Sequence, residues 1–393
     1  MPTSGRAVAD LHQLSGHLDS SGQSRTVVFG ETVTAICERH APLDDVVLPG
    51  FIDLQVNGAY GIDVMSASIE DVLRLSYALA REGTTSWLPT VITAPLETIE
   101  RCDAMIAAAM TRQREAAQSP SDARKLSGAT ILGMHLEGPF ISPRHLGAHP
   151  PLQRLPHGEA LARMLALKTL RLITLAPELD GALGAIRQFV ARGVTVSLGH
   201  SDATCDEALA AVAVGARMFT HLFNAMRPLH HREPGIVGAA LTPSPAAAAI
   251  IPDRVHIHPA MFALVRAART VGQTLVASDC VALAGVQPDA ELPMFGDASR
   301  RVQVREGAAR FPDGALAGGV VTMLEGLRLT VNDPVFGGGL DPFGYAQMAA
   351  EGPARVLGLA DRGAVALGKR ADLILLDRAL NLKAVFVDGH EID

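Results

Sequence analysis

The chain has 393 residues, 48% of them hydrophobic, and a formal net charge of −7, enough for one large core plus a smaller unit. Acidic and basic residues are interspersed and aromatics make up only 4%, which excludes a nucleic-acid groove, a base-stacking platform and a polybasic membrane patch. Cys37, Cys102, Cys205 and Cys280 stand far apart with no C-x-x-C pair, the pattern of a reduced, cytoplasmic protein without disulfides or a structural zinc knot.

The first residues, "MPTSGRAVADLHQLSGH", hold no apolar core of signal-peptide length. The runs "RTVVFG" and "TVTAICE" that follow alternate and are bounded by turn residues, so they predict short strands. "ADLILLD" and "LKAVFVDG" at the other end read the same way. Together they predict a small β domain from residues 1–46 and 360–393.

From residue 47 to 359 apolar runs alternate with helical stretches. "VLPGFIDLQV", "SWLPTVI", "ATILGMHLE", "LRLITLAPE", "VTVSLGH", "MFTHLFN", "AAAIIPDRVHIH" and "TLVASD" predict strands. "SIEDVLRLSYALAREG", "LDGALGAIRQFVARG", "SDATCDEALAAVAVG" and "HPAMFALVRAARTVG" carry apolar residues at three- and four-residue spacing, with Gly83, Gly193, Gly215 and Gly272 as C-terminal stops. Such alternation predicts parallel βαβ units, and eight of them favour a closed (β/α)8 TIM-type barrel. A doubly wound sheet is disfavoured because no G-x-G-x-x-G follows the first strand. "GVVTMLEGLRLTV" and "DPFGYAQMAAEGPARVLGL" predict two helices leading out of the barrel. The uncharged run Pro234 to Ile251 contains Pro234, Pro243 and Pro245 and few large apolar residues, so it predicts no spanning helix.

Catalytic groups of a parallel barrel sit where its strands end. Those positions hold His135 and Glu137 (third strand), His200 (fifth), His221 and Asn224 (sixth), Asp253, His256 and His258 (seventh) and Asp279 (eighth). A carboxylate and two imidazoles form a competent ligand set for one divalent metal with a position left for water. Zinc (Zn2+) is the default; Fe2+, Mn2+ and Co2+ are alternatives. Asp279 reads either as a turn or helix cap or as the general base that takes a proton from activated water. In "HHREPG", Arg232 is either part of a solvated loop or a fork for phosphate or carboxylate. His149, in "GAHP", lies on the loop after the third strand. No G-x-S-x-G or Walker-type loop occurs.

The ordered set "PGFIDLQVNG", "GTTSWLPT", "HLEGPF", "GAHP", "GHSDAT", "THLFNAM", "REPG", "SD" with a following "AG", and "LAGG" resembles the N-acetylglucosamine-6-phosphate deacetylases of the amidohydrolase superfamily. The resemblance spans about residues 47 to 330. It implies a metal-dependent barrel with a small β-sandwich from both termini, usually as a homodimer. It further implies Glu137, His200 and His221 as metal ligands, Asp279 as general acid/base, and His149 as a residue polarising the acetamide carbonyl. Arg232 would reach the neighbouring subunit's phosphate site, joined by His256, while Asn224, Ala225 and Leu316 would line the sugar phosphate. Members with His-x-His on the first strand hold two metals. Gln55 and Asn57 resemble the single-metal kind, in keeping with the weakness of neutral amides as transition-metal ligands.

Some positions depart from the resemblance. Arg254 is expected either to add positive charge near the phosphate or to alter which sugar fits, His258 is a rival to His256 as a phosphate contact, Gly319 replaces a usual serine, and Pro151 follows "GAHP". The implied activity is hydrolysis of N-acetyl-D-glucosamine 6-phosphate to acetate and D-glucosamine 6-phosphate, with metal-activated water as nucleophile, in amino-sugar metabolism. The alternatives are a deacetylase of N-acetylgalactosamine 6-phosphate or another N-acyl compound, and an inactive sugar-phosphate-binding protein. The partner is thus a small amino-sugar phosphate, with no nucleic acid and no membrane.

Overall fold

"VLPGFIDLQV" reads as one strand, but Gly50 divides it between two sheets. Val46–Pro49 pairs with Leu373–Leu376, and Phe51–Val56 begins the barrel. At Gly50 a Cβ would come within 2.1 Å of the Thr85 side chain, so only glycine fits the crossing without displacing that residue. The computed structural model describes residues 11–41, 43–117, 128–287 and 289–393. Residues 1–10 and 42 of the expected β domain lie outside these.

The N-terminal strands His12–His17, Ser24–Phe29 and Val33–Glu38 join Val46–Pro49 and the C-terminal strands Leu373–Leu376, Leu382–Val387 and His390–Glu391 in one sheet. Its core, Val27, Phe29, Val47, Leu373 and Phe386 among others, is separate from the barrel interior.

Eight parallel strands follow in chain order: Phe51–Val56, Thr84–Ile92, Met134–Glu137, Leu170–Leu175, Thr195–Leu198, Met218–Phe219, Ala247–Ile250 and Thr274–Val276. A parallel bridge from Val56 to Cys280 joins the last to the first. The expected TIM-type barrel is therefore the observed one. The seventh strand stops at Ile250, short of "DRVHIH", because Pro252 has no N–H to donate and the Asp253 carboxylate accepts from the Val255 and His256 amides instead.

Helix starts follow local chemistry. Ser68 with Asp71, and Thr204 with Glu207, form capping boxes for Ile69–Ala80 and Cys205–Ala213. Gly83 (φ +82°), Gly193 (+74°) and Gly215 (+122°) act as the expected stops. Gly272 does not: the helix Pro259–Ala268 ends earlier, and Gly272 lies in the short 3-10 turn Val271–Gln273. The uncharged run splits into the helix Gly235–Leu241 and the strand Ala247–Ile250. Among the described residues no helix is long and apolar enough to cross a membrane.

Two features position the site. Inside the barrel an apolar layer that includes Leu54, Leu88, Leu172, Met218 and Leu275 is closed below by Ala354 and Leu357. Above it lies a hydroxyl chain in which Thr174 meets His135 Nε2 at 2.8 Å and Thr220 at 2.7 Å, and Thr220 meets Ser197 at 2.5 Å. Buried hydroxyls stay there because each has a partner, sparing the ~1–3 kcal/mol cost of an unpaired polar group. The second feature is an antiparallel sheet of Glu291–Met294, Asp297–Arg305, Ala308–Arg310 and Leu316–Gly318, which sequence patterning did not reveal.

Candidate active site

Glu137 ends the third strand, and His200, His221 and Asp279 lie just past the fifth, sixth and eighth. The last three adopt left-handed backbone angles (φ +48°, +25° and +49°) that non-glycine residues rarely take. Such strain persists where the surrounding fold over-determines it, and it clusters at functional sites. Here it turns three side chains from different strands into one cavity of about 240 Å³.

Glu137 Oε1 lies 3.0 Å from both His200 Nε2 and His221 Nε2, and the two nitrogens are 3.2 Å apart. His200 Nδ1 donates to the His145 carbonyl at 2.8 Å, which turns its Nε2 toward the carboxylate. Two ring nitrogens and a carboxylate oxygen thus converge from three strands at one point. A tetrahedron with bonds of ~2.0 Å has edges of about 3.3 Å, so the trio fits one divalent metal. It is also the one His/Cys/Asp/Glu group of metal-binding geometry among the described residues.

Burial favours the neutral form of Glu137, but the His200, His149 and His221 imidazoles outweigh it and hold the carboxyl well below its usual range. Burial likewise opposes a charged His221, yet the Glu137 carboxylate raises its pKa. Asp279 goes the other way: burial first, then the Glu137 charge, lifts it to about 7 despite His221, His256 and Asn57. Two carboxylates in one cavity are thus pushed apart, one held anionic and the other raised toward neutrality.

Gln55 and Asn57 present N–H donors to these carboxylates. Gln55 Nε2 bridges Glu137 Oε1 (3.0 Å) and Asp279 Oδ1 (2.9 Å), and Asn57 Nδ2 reaches the same Oδ1 at 2.8 Å. Asp279 Oδ1 is thereby engaged twice, leaving Oδ2 for a reacting proton.

His149 lies beside the trio, its Nε2 3.5 Å from Glu137 Oε2. Thr93 holds the other nitrogen: its amide N–H donates to Nδ1 at 3.3 Å and its hydroxyl lies 2.8 Å away. Accepting at Nδ1 leaves the proton on Nε2, facing the cavity. Burial and His200 lower the His149 pKa to about 4, so the ring is a neutral donor. His256 Nδ1 is 2.6 Å from Asp253 Oδ2, which turns Nε2 outward. His149, Asn224, Ala225, His256, Asp279 and Leu316 all line the cavity.

Other expected residues lie elsewhere. Arg232 is exposed, 2.8 Å from His231 Nε2, in a separate cleft with Thr204 and Arg227. His258 caps the helix Pro259–Ala268 by accepting from the Ala260 amide, which occupies its Nδ1 outside the cavity. Arg254 pairs with Asp333 at 2.7 Å and lies over the Phe336 ring, so its charge is spent away from the cavity. His135 is buried beneath the trio in the hydroxyl chain. At Gly319 a Cβ would approach the Ser278 carbonyl oxygen to 2.3 Å, so this chain has no room there for the serine the resemblance suggests unless that backbone shifts.

Sequence reading missed Thr93 and also Glu178, whose carboxylate accepts from Ser201 Oγ and the Asp202 amide, both at 2.7 Å, and braces the loop after His200. Thr93 falls one residue past the second strand, where catalytic barrels place such groups, but a threonine there carries no chemical signature of its own.

A parallel barrel with a Glu-His-His cluster where its strands end defines a metal-dependent hydrolase. The sequence matches the amidohydrolase family over residues 46–392, and the chain belongs to that family. It is 38% identical over 359 residues to N-acetylgalactosamine-6-phosphate deacetylase of Escherichia coli O157:H7, covering 90% of this chain and 89% of that protein. It is 36% identical over 343 residues to N-acetylglucosamine-6-phosphate deacetylase of Bacillus subtilis strain 168, covering 86% and 82%. Among solved structures it resembles an aspartate-to-alanine variant of the Mycobacterium smegmatis N-acetyl-D-glucosamine-6-phosphate deacetylase in complex with N-acetyl-D-glucosamine-6-phosphate. The TM-score is 0.84 and the identity 29%, covering 98% of this chain and 100% of that one.

Proposed function

We propose that this protein hydrolyses the acetamide of N-acetyl-D-glucosamine 6-phosphate, releasing acetate and D-glucosamine 6-phosphate. The observation that carries this reading is the convergence of Glu137, His200 and His221 in one cavity with a protonatable Asp279. One divalent ion, zinc by preference for a Glu-His-His set with Fe2+, Mn2+ or Co2+ as alternatives, would be held by these three ligands. When bound it polarises a carbonyl and makes water nucleophilic at neutral pH.

The chain's own groups complete the reaction. Asp279 Oδ2 takes a proton from the attacking water while Gln55 and Asn57 fix Oδ1. As the carbon–nitrogen bond breaks, the same carboxyl returns that proton to the departing amine. His149 Nε2–H donates to the carbonyl oxygen as negative charge develops on it, which is worth a few kcal/mol at a preorganised site. His256, Asn224, Ala225 and Leu316 receive the sugar phosphate. We assign Arg232 to the phosphate of a neighbouring subunit in a homodimer, since it is exposed and outside its own chain's cavity. The active protein would work in the cytoplasm, in amino-sugar metabolism.

A second reading, N-acetylgalactosamine 6-phosphate as substrate, is favoured by the relative at 38% identity that bears that name. Acetate release from both sugar phosphates and from unphosphorylated N-acetylglucosamine decides between them. Higher kcat/KM on the glucosamine compound supports the proposal, and higher kcat/KM on the galactosamine compound replaces it. In the same assay Arg232→Ala should raise KM for the phosphorylated substrate by ~10-fold or more, as for a lost charge-assisted contact, and barely affect the unphosphorylated one. Equal effects on both would remove Arg232 from phosphate binding.

A further inference from the structure

The antiparallel sheet between residues 291 and 318 forms one wall of the cavity, and one side chain ties it to the loop that bears His149. Arg300 lies on the strand Asp297–Arg305. Its guanidinium lies over two aromatic rings, 5.3 Å from the Phe295 centroid and 5.0 Å from that of Phe311. It also donates through Nη2 to the Ala148 carbonyl. Among the described residues this is the single hydrogen bond between that sheet and residues 138–157.

Both ends of this link are cavity walls, because Phe295 and Ala148 each face it. Phe295 is held at φ +60°, and the next residue, Gly296, donates its amide to Asp63 Oδ2 at 2.7 Å. Asp63 belongs to the small hairpin of Gly58–Ala59 and Ile62–Asp63 after the first barrel strand. The wall is therefore anchored on two sides of the cavity, to that hairpin and to the His149 loop.

We propose that Arg300 is a positioning residue for His149. The Ala148 carbonyl belongs to the peptide unit whose nitrogen is that of His149, so holding it fixes the plane from which the imidazole projects. Thr93 fixes the ring from the other side. A planar guanidinium can stack on both rings and donate in its own plane at once, which a lysine ammonium cannot. This rests on the reading of His149 as the donor to the substrate carbonyl.

The test is a double-mutant cycle in steady-state deacetylation of N-acetylglucosamine 6-phosphate, with melting curves for every variant. Arg300→Met should lower kcat on the order of tenfold and leave KM within about twofold, and Arg300→Lys should restore little. In a His149→Ala background the same change should cost less than about twofold, because the residue it positions is gone. Equal fold losses in both backgrounds, or a loss confined to KM, overturn the inference. Should Arg300→Met fail to fold, Phe311→Leu loosens the clamp from outside the cavity and carries the same comparison. His149→Ala at wild-type turnover would overturn the reading of His149 and this inference with it, an outcome distinct from equal losses.

Discussion

Asp279→Asn lowers turnover on the order of a thousandfold while the protein still binds metal and sugar phosphate. The substitution is nearly isosteric, and an asparagine Oδ1 can still accept from Gln55 and Asn57, so the local structure holds. What disappears is a group able to take a proton and return it, and positioned general acid–base catalysis is worth ~10²–10⁴-fold. The magnitude belongs at the upper end because one residue performs both transfers. Single-turnover acetate release checks it, together with binding of the sugar phosphate to the inactive variant. Turnover within tenfold of wild type would show that the proton travels elsewhere.

Glu137→Gln removes the only anion of the trio and has the second large effect. A neutral amide is a poor partner for a transition metal beside two imidazoles. Even residues that merely orient a ligand typically contribute ~10–100-fold to metal affinity, so loss of the ligand itself should exceed a hundredfold. The variant should purify with little metal and recover turnover only at high added zinc, if at all. Metal content by mass spectrometry checks this, and an unchanged count with unchanged affinity would remove Glu137 from the ligand set. The fold should survive, since Glu137 is surrounded by side chains that can accept or donate to an amide equally well.

The barrel and its convergent Glu-His-His trio were legible for the same reason. Each strand is a short apolar run, and polar residues just beyond it, such as His200 and His221, stand out against the pattern. The strand lengths were less legible: the seventh ends three residues before Asp253, where proline and a carboxylate turn override the apolar pattern. The sheet over residues 291–318 escaped because its longest strand, Asp297–Arg305, is mostly exposed and alternates only at Val302 and Val304. Arg300 escaped with it, since its role depends on Phe295, Phe311 and Ala148 meeting in space. Arg254 and His258 were read as substrate contacts because they flank His256 in sequence. The turn at Asp253 instead sends Arg254 to Asp333 and His258 to a helix terminus.

Gln55 and Asn57 take on a defined task in this arrangement. A histidine pair at those positions would add two more lone pairs to the cavity, whereas the amides supply donors that hold Asp279 and Glu137 in place. On the proposed reading the site is therefore built around a single ion. Titrating metal-free wild-type protein with zinc while following acetate release from N-acetylglucosamine 6-phosphate tests this most directly. Turnover should be absent without metal and should rise to a plateau at one equivalent per chain; full turnover without metal, or a plateau at two equivalents, would contradict it.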